Sequence, residues 1–496
     1  MVRLIKDRSV FYISTAAAVF FFYYSISFIT PQALLRDPDT FWHIRTGQWI
    51  LDHAQLPTVD FYSYTERGKP WIAFEWLSEI FYAIAYKIGG WQGVVILSAM
   101  GCSAVIALLY FYLARHLRFS IAIGWTALTA VAVSTHFLAR PHIFSYVLLL
   151  IWIVILIEAY DKDDFSLPTW ITLTALMVLW ANLHGSFTFG LALLYVFCGS
   201  SILYNIMRGD YARCGFLLVG LVVVSLSSYL TPYGIAPAFL TKGLMNAKTI
   251  FEFISEFRPP NFQTNPVLLF LLIALLMVIA GLGIKVRGAR LIAFALIAYV
   301  GFSYARGLIV FFLLAPIILA RPVAESASYF MPQRLDSVHP GEGADPVLRY
   351  LQRRFVAIPA VCLAIAVLAT VSSYWRNIVP PKSIAPEEAV DFVKRTKITG
   401  NVFNSYNFGG YLIISDIPTF IDGRGPGGEE LLRKYANAIN LLDIDSAFQI
   451  LDDYQISWII LRPSEPFSKA IARSAAWDKV YSDEYSIVFV RRLNNG

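Results

Sequence analysis

Charge is what this sequence has least of for its size. Only 15% of its 496 residues are Asp, Glu, Lys or Arg, where a soluble globular chain carries about a quarter. With 57% hydrophobic residues and a mean hydropathy of +0.58, that deficit excludes a soluble globular chain and implies a polytopic α-helical membrane protein. Cysteine is scarce too. The four present, Cys102, Cys198, Cys214 and Cys362, lie in apolar runs without metal-type spacing. They exclude a disulfide framework and a zinc site and read as small core residues. Neither sign of charge dominates. A net charge of +6 is small for this length and reads as membrane orientation, not as affinity for nucleic acid. There is no internal repeat and no true low-complexity tract; the polar stretch from about Ala324 to Asp345 comes nearest and reads as a cytoplasmic connection. The run Gly423-Arg424-Gly425-Pro426-Gly427-Gly428 lacks the Lys-Ser/Thr of a P-loop and the spacing of a dinucleotide fingerprint, so it reads as an ordinary loop.

Long apolar runs are what the chain does have. A span needs about 20 apolar residues, and candidates lie near 10–31, 91–114, 119–138, 143–160, 167–183, 187–206, 214–231, 266–284, 291–305, 308–320 and 356–374, about eleven in all. The first follows Arg3, Lys6 and Arg8 but is too long for a signal-peptide core, so it is expected to be a retained helix. Segment 71–88 carries Glu75, Glu79 and Lys87 among aromatics, the profile of a helix lying along the interface. If it does not cross, the amino terminus, Arg115/Arg118, Lys162, Arg208/Arg213, Lys285/Arg287/Arg290 and the loop from Arg321 to Arg354 share one side. The positive-inside rule makes that side cytoplasmic.

The outer face then receives the loop of residues 32–90, Arg140-Pro141-His142, Asn182-Leu183-His184-Gly185, Thr231-Pro232-Tyr233-Gly234, the loop with Glu252, Glu256 and Arg258, and Arg306 between two close spans. Five of the seven histidines, His43, His53, His136, His142 and His184, lie at or near it. Ionisable residues at membrane depth are costly and mark function by default, so the set is expected to converge on an outward cavity. Its centre is Asp37-Pro38-Asp39-Thr40-Phe41-Trp42-His43, where the first span surfaces. A helix from Thr40 would put Asp39 and His43 on one face, with His43 a structural partner of Asp39 or a site residue.

Beyond about residue 375 the composition turns polar after Pro380-Pro381, and residues 375–496 read as a small extracytoplasmic α/β domain following a 1–374 transmembrane domain. Pro386–Lys394, Glu429–Asn440 and Ser446–Tyr454 have helical patterns. Gly400–Asn404 reads as a strand leading into a turn at Gly409-Gly410, and Tyr411–Ile414, Thr419–Ile421, Trp458–Leu461 and Ile487–Val490 are further apolar runs.

The acidic pair closing the first span, the long first outer loop, the many further spans and the carboxy-terminal domain resemble the GT-C glycosyltransferases. The run Asp37–Gly47, Leu56-Pro57-Thr58-Val59-Asp60-Phe61-Tyr62-Ser63-Tyr64, Trp71-Ile72-Ala73-Phe74-Glu75-Trp76-Leu77, Asn182–Gly185, Thr231–Gly234 and Phe420-Ile421-Asp422-Gly423-Arg424 resemble a bacterial branch of these proteins. The resemblance implies inverting transfer of a sugar from a polyprenyl-phosphate-linked donor to a glycan, lipid or protein acceptor, outside a bacterial inner membrane. It places the base on Asp39, with Asp37 as runner-up. A hydroxyl needs such a base, because it is a poor nucleophile until its proton is accepted. The leaving phosphate needs cationic donors, for which arginine suits best, and Arg140, Arg258 and Arg306 with His142 and His184 are the candidates. Tyr233 is a further candidate. Metal-dependent oligosaccharyltransferases add an acidic motif where this chain has Arg140-Pro141-His142. No cofactor is required, and a divalent ion on Glu252 and Glu256 with Asp37 or Asp39 is the alternative.

Rival readings are an oligosaccharide-transferring enzyme with a pyrophosphate-linked donor, a transporter and a non-catalytic scaffold. A transporter is expected to show repeats and mid-membrane charges; here the charges lie at span ends.

Overall fold

The computed structural model describes residues 2–237, 255–263, 266–330, 356–425 and 428–492. The apolar runs fold as helices: α1 (Val2–Ser27), α3 (Trp76–His116), α4 (Phe119–Ser134), α5 (His142–Asp161), α6 (Leu167–Leu183), α7 (Phe187–Met207), α8 (Tyr211–Ser227), α9 (Pro266–Gly281), α10 (Gly288–Ser303), α11 (Gly307–Phe330) and α12 (Ala357–Ser373). Among the described residues, five contain stretches long and apolar enough to cross a membrane: Ser9–Ser27, Trp76–His116, His142–Asp161, Phe187–Met207 and Gly307–Ser326. The other apolar helices are shorter. This is a multi-pass membrane protein whose helices share one large apolar core, with Leu109, Trp152, Ile153, Phe197 and Leu313 fully buried.

Segment 71–88 differs from expectation. A helix does start at Trp76, and it breaks at Gly89-Gly90, where Gly90 takes φ 55°. Its carboxylates do not face the headgroups, however. Glu79 is 0% exposed and Glu75 8%, because both turn inward onto histidines. Helix α2 (Asp39–His53) lies across this segment. The crossing is close at Gly47, where an added Cβ would stand 2.0 Å from the Glu79 carbonyl oxygen.

The last 110 or so residues build a four-stranded sheet of β1 (Asn401–Asn404), β2 (Ile456–Leu461), β3 (Trp477–Ser482) and β4 (Ile487–Arg491) in the order β1-β2-β4-β3. β1 is parallel to β2, and the other pairs are antiparallel. Side chains alternate across the sheet as strand geometry requires. Phe403, Ile459, Leu461 and Phe489 join the cluster under α15 (Gly428–Ile439), α16 (Ile444–Asp453) and α17 (Pro466–Ile471). Val402, Trp458, Ile460 and Val488 join the cluster with Val390 and Val393 of α13 (Glu387–Arg395) and with Leu412 of α14 (Gly409–Ile414).

Two expectations fail here. Gly409-Gly410 is no turn but the start of α14, so Tyr411–Ile414 is helical. Thr419–Ile421 lies outside the sheet; Thr419 N donates to the Tyr62 carbonyl at 3.0 Å, and Tyr64 N donates to the Thr419 carbonyl at 3.2 Å. The short run binds another segment instead of a neighbouring strand. Tyr411, Ile413 and Ile414 pack on Phe41, Trp42 and Tyr62, so this segment docks on α2 and the first loop. Replacing Gly47 by Val should push α2 off α3 and cost about 1–3 kcal/mol, the usual range for overpacking. A lower thermal midpoint in detergent is expected, and an unchanged one would refute the tight crossing.

Candidate functional site

Asp37 stands just before α2 and Asp39 at its first residue. Asp37 Oδ1 accepts from the Asp39 backbone N–H at 2.8 Å, satisfying one free donor of the helix start. Its other oxygen faces Arg140 Nη1 at 3.1 Å, and Asp39 Oδ2 faces Arg140 Nη2 at 2.6 Å. One guanidinium therefore grips both carboxylates. The two loops are fixed to each other by Thr40 Oγ1 donating to the Ala139 carbonyl at 2.9 Å and Ala139 N to the Leu34 carbonyl at 2.8 Å. Tyr82 OH donates to the Arg140 carbonyl at 3.1 Å.

Arg140 Nη1 also lies 3.9 Å from Glu256, whose other oxygen is 3.9 Å from Arg306 Nη1. The turn carrying Glu256 and Arg258 is held by its backbone. Arg306 N donates to the Glu256 carbonyl at 3.0 Å and Ala305 N to the Arg258 carbonyl at 2.8 Å. Arg306, Glu256 and Arg140 thus alternate in charge, and the series ends on the two carboxylates of Asp39 and Asp37 that Arg140 holds. Burial and the neighbouring Asp37 push the Asp39 carboxyl up to about 6, against the pull of Arg140. Burial also acts to raise Glu256, but Arg140, Arg306 and His136 together hold it below the usual carboxylate range.

A second series lies behind the first. His184 Nε2 faces Glu75 at 3.2 Å, the other Glu75 oxygen is 3.6 Å from His43 Nε2, and His43 Nδ1 is 3.3 Å from Glu79. The expected Asp39–His43 pairing is not what forms. His43 turns from Asp39 to the two glutamates because α3 crosses α2 at that turn. Burial, then the field of Arg140, holds the His43 imidazole well below its usual range, and burial with Arg306 and Arg140 does the same to His184. The Ser186 backbone N–H donates to His184 Nδ1 at 3.0 Å, so the neutral ring carries its proton on Nε2 and offers it to Glu75. Burial lifts Glu75 to about 7. His43 makes its hydrogen bond to Glu79 through Nδ1 and leaves the buried Nε2 without one.

The remaining candidates divide. His142, at the start of α5, donates from Nε2 to the His136 carbonyl at 3.1 Å, which spends one nitrogen on its own loop. Tyr233 serves the first loop, donating to the Pro57 carbonyl at 2.9 Å and accepting from Ala73 N at 3.3 Å. Glu252 lies outside the described residues. Among the described residues no group of three or more His, Cys, Asp or Glu side chains is arranged to hold a metal ion. Asp37 and Asp39 are turned to Arg140 instead.

Sequence reasoning did not pick out Glu75 and Glu79 as site residues, although two glutamates at i,i+4 in an otherwise apolar helix are a legible signal. It also missed Asp60, Asp422 and Arg424. The Gly423-Arg424 run is not an ordinary loop: the Arg424 side chain is 2% exposed and faces Asp60 at 2.9 Å and Asp422 at 2.7 Å. Pro426 and Gly427 lie outside the described residues.

Removing one partner of a buried ion pair leaves an uncompensated charge and costs about 3–5 kcal/mol. Arg140→Ala should therefore lower stability sharply, and adding Asp37→Asn should recover part of the loss. Thermal unfolding of the purified variants reads both; an Arg140→Ala protein as stable as the wild type would make the pairing incidental.

No family model matches the chain, and no curated protein matches it in sequence. Solved structures do. The archaeal oligosaccharyltransferase AglB from Archaeoglobus fulgidus, in complex with an inhibitory peptide and a dolichol-phosphate, aligns with a TM-score of 0.53 at 12% identity, covering 92% of this chain and 69% of that one. ArnT from Cupriavidus metallidurans bound to undecaprenyl phosphate aligns at 0.51 and 16% identity, covering 98% of both chains. Its apo form aligns at 0.50. The chain shares its fold with AglB and ArnT.

Proposed function

We propose that the protein is an inverting glycosyltransferase that moves a sugar from a polyprenyl-phosphate-linked donor to an acceptor hydroxyl outside the membrane. The single observation that carries the reading is the buried Asp39 in contact with Arg140, in series with Glu256 and Arg306, on a fold whose solved examples hold polyprenyl or dolichol phosphates. Asp39 takes the proton of the acceptor hydroxyl as its oxygen attacks the anomeric carbon. The bond from that carbon to the phosphate oxygen breaks on the opposite face, and polyprenyl phosphate leaves. Its charge is met by Arg306, Arg258 and Arg140, since arginine matches phosphate geometry. His184 is offered through Glu75 as a neighbouring polar wall, not as a cation. Asp37 serves as the holder of Arg140, with both its oxygens engaged.

The topology belongs to the same proposal. Eleven crossings with residues 71–88 lying at the surface put the amino terminus in the cytoplasm and the 375–496 domain outside, facing the same aqueous phase as Asp39. Among the rivals, oligosaccharide transfer is the second reading, because AglB is an oligosaccharyltransferase.

Purified protein given a panel of polyprenyl-phosphate monosaccharides should release polyprenyl phosphate, read by mass spectrometry. Asp39→Asn should lower release by about 10²–10⁴-fold, the usual worth of a positioned base, without loss of folding. Equal release in the variant would sink the base assignment, and release only from pyrophosphate-linked oligosaccharides would favour the second reading. Because the ionised carboxylate is the base and its affinity for protons is raised to about 6, kcat/KM should climb with pH through that region and level off above it. A rate flat from pH 5 to 8 would contradict it.

Ser464 is exposed, and a cysteine placed there in a cysteine-free background should react with an impermeant maleimide in intact cells. Protection there, with labelling only after lysis, would reverse the orientation.

A further inference from the structure

The Asp37-Pro38-Asp39 turn is gripped by Arg140 on one side, and on another it meets two glycines from the far end of the chain. An added Cβ at Gly410 would stand 2.0 Å from the Pro38 carbonyl oxygen, and one at Gly423 would stand 1.7 Å from Asp39 Oδ1 and 2.7 Å from its Cγ. Real side-chain carbons do not approach so closely: at Gly410 the obstacle is backbone, which only glycine accommodates, and at Gly423 it is the Asp39 carboxylate itself, which a larger residue would displace. Gly410 sits in an ordinary helix start; close approach, not turn geometry, is what glycine supplies there.

Directly after Gly423, Arg424 is built in from every side. Its Nε and Nη2 meet the two Asp422 oxygens at 2.9 and 2.7 Å, and its Nη1 meets Asp60 Oδ1 at 2.9 Å. The guanidinium lies 4.8 Å from the Tyr62 ring centre and 5.0 Å from that of Trp71. Its partners are themselves held: Asp60 accepts from Tyr62 N at 2.8 Å and from Ser63 Oγ at 2.7 Å, and Asp422 accepts from Thr419 Oγ1 at 2.8 Å. Asp60, Tyr62 and Trp71 belong to the first loop and Asp422 to the carboxy-terminal segment, so one bidentate cation joins the two.

We infer that the carboxy-terminal segment completes the site: Gly410 and Gly423 seat the Asp37-Pro38-Asp39 turn, and Arg424, clamped by Asp60 and Asp422, fixes Gly423 against Asp39. These three are positioning residues, and the inference rests on Asp39 as the base. It implies that the segment is no detachable acceptor-binding module but one wall of the base's pocket, which keeps water from Asp39.

The test uses the full-length purified protein with Gly423→Ala and Arg424→Lys, the latter keeping the charge while losing the fork. The kcat of release should fall on the order of 100-fold, the effect of a misplaced reacting group, while KM for donor and acceptor holds. Independently of activity, modification of Asp39 by a water-soluble carbodiimide at fixed pH, mapped by mass spectrometry, should quicken in both variants, with the exposed Asp452 as the unchanged reference. Should Gly423→Ala fail to fold, Arg424→Lys and Gly410→Ala decide the matter. Unchanged Asp39 modification, or quickened modification with an unchanged kcat, overturns the positioning role. Quickened modification in a protein whose wild type transfers no sugar upholds the seating of Asp39 and sinks the transferase reading instead.

Discussion

Two carboxylates two residues apart cannot both be buried as ions unless a cation comes with them, because desolvating an unpaired charge costs several kcal/mol. Asp37 and Asp39 are 6% and 8% exposed, and Arg140 is the cation that touches both. Much of the outer architecture follows from that need. The loop before α5 has to reach the end of the first helix, and it is held there by hydrogen bonds from Thr40, Ala139 and Tyr82. Arg140 then has capacity left for Glu256, which brings the Arg306 loop into the same electrostatic unit.

The same cations shape what lies behind. Arg140 and Arg306 disfavour any further positive charge nearby, and burial acts the same way, so His43 and His184 stay neutral. Burial, against the pull of Arg140 and Arg306, makes Glu75 hold its proton up to about 7. The cluster therefore has a front of paired charges and a back of neutral imidazoles beside a glutamate that holds its proton up to about 7.

Docking of the last segment on α2 adds a further constraint. Phe41 stands edge-on to Tyr411 with ring centres 5.3 Å apart, Arg45 meets Asp416 at 2.5 Å, and Arg424 joins the first loop to the loop after Thr419. The exposed Arg45–Asp416 pair is worth little. The buried Arg424 group is different, since losing either partner leaves a charge without water. Docking thus depends on a few enclosed polar contacts within apolar surroundings, which fixes one arrangement more sharply than apolar packing does.

Sequence alone determined what depends on local composition and period. Apolar runs near 143–160, 167–183 and 187–206 became α5, α6 and α7, because about 20 residues that cannot face water have to satisfy their backbone internally, and a helix does so within the segment. Short apolar runs marked β2 and β4. The convergence of Asp37, Asp39, Arg140 and Arg306 was legible because charge is rare in such a chain. What the sequence could not settle was partnership. Asp39 and His43 share a helical spacing, yet His43 belongs to Glu75 and Glu79, because α3 passes closer than the next turn of α2. Gly410 and Gly423 looked like turn and loop glycines, and only the packing of residues more than 350 positions away made them contacts on the Asp-Pro-Asp turn. Local pattern fixes which groups are costly to bury; the tertiary fold decides which of them are buried together.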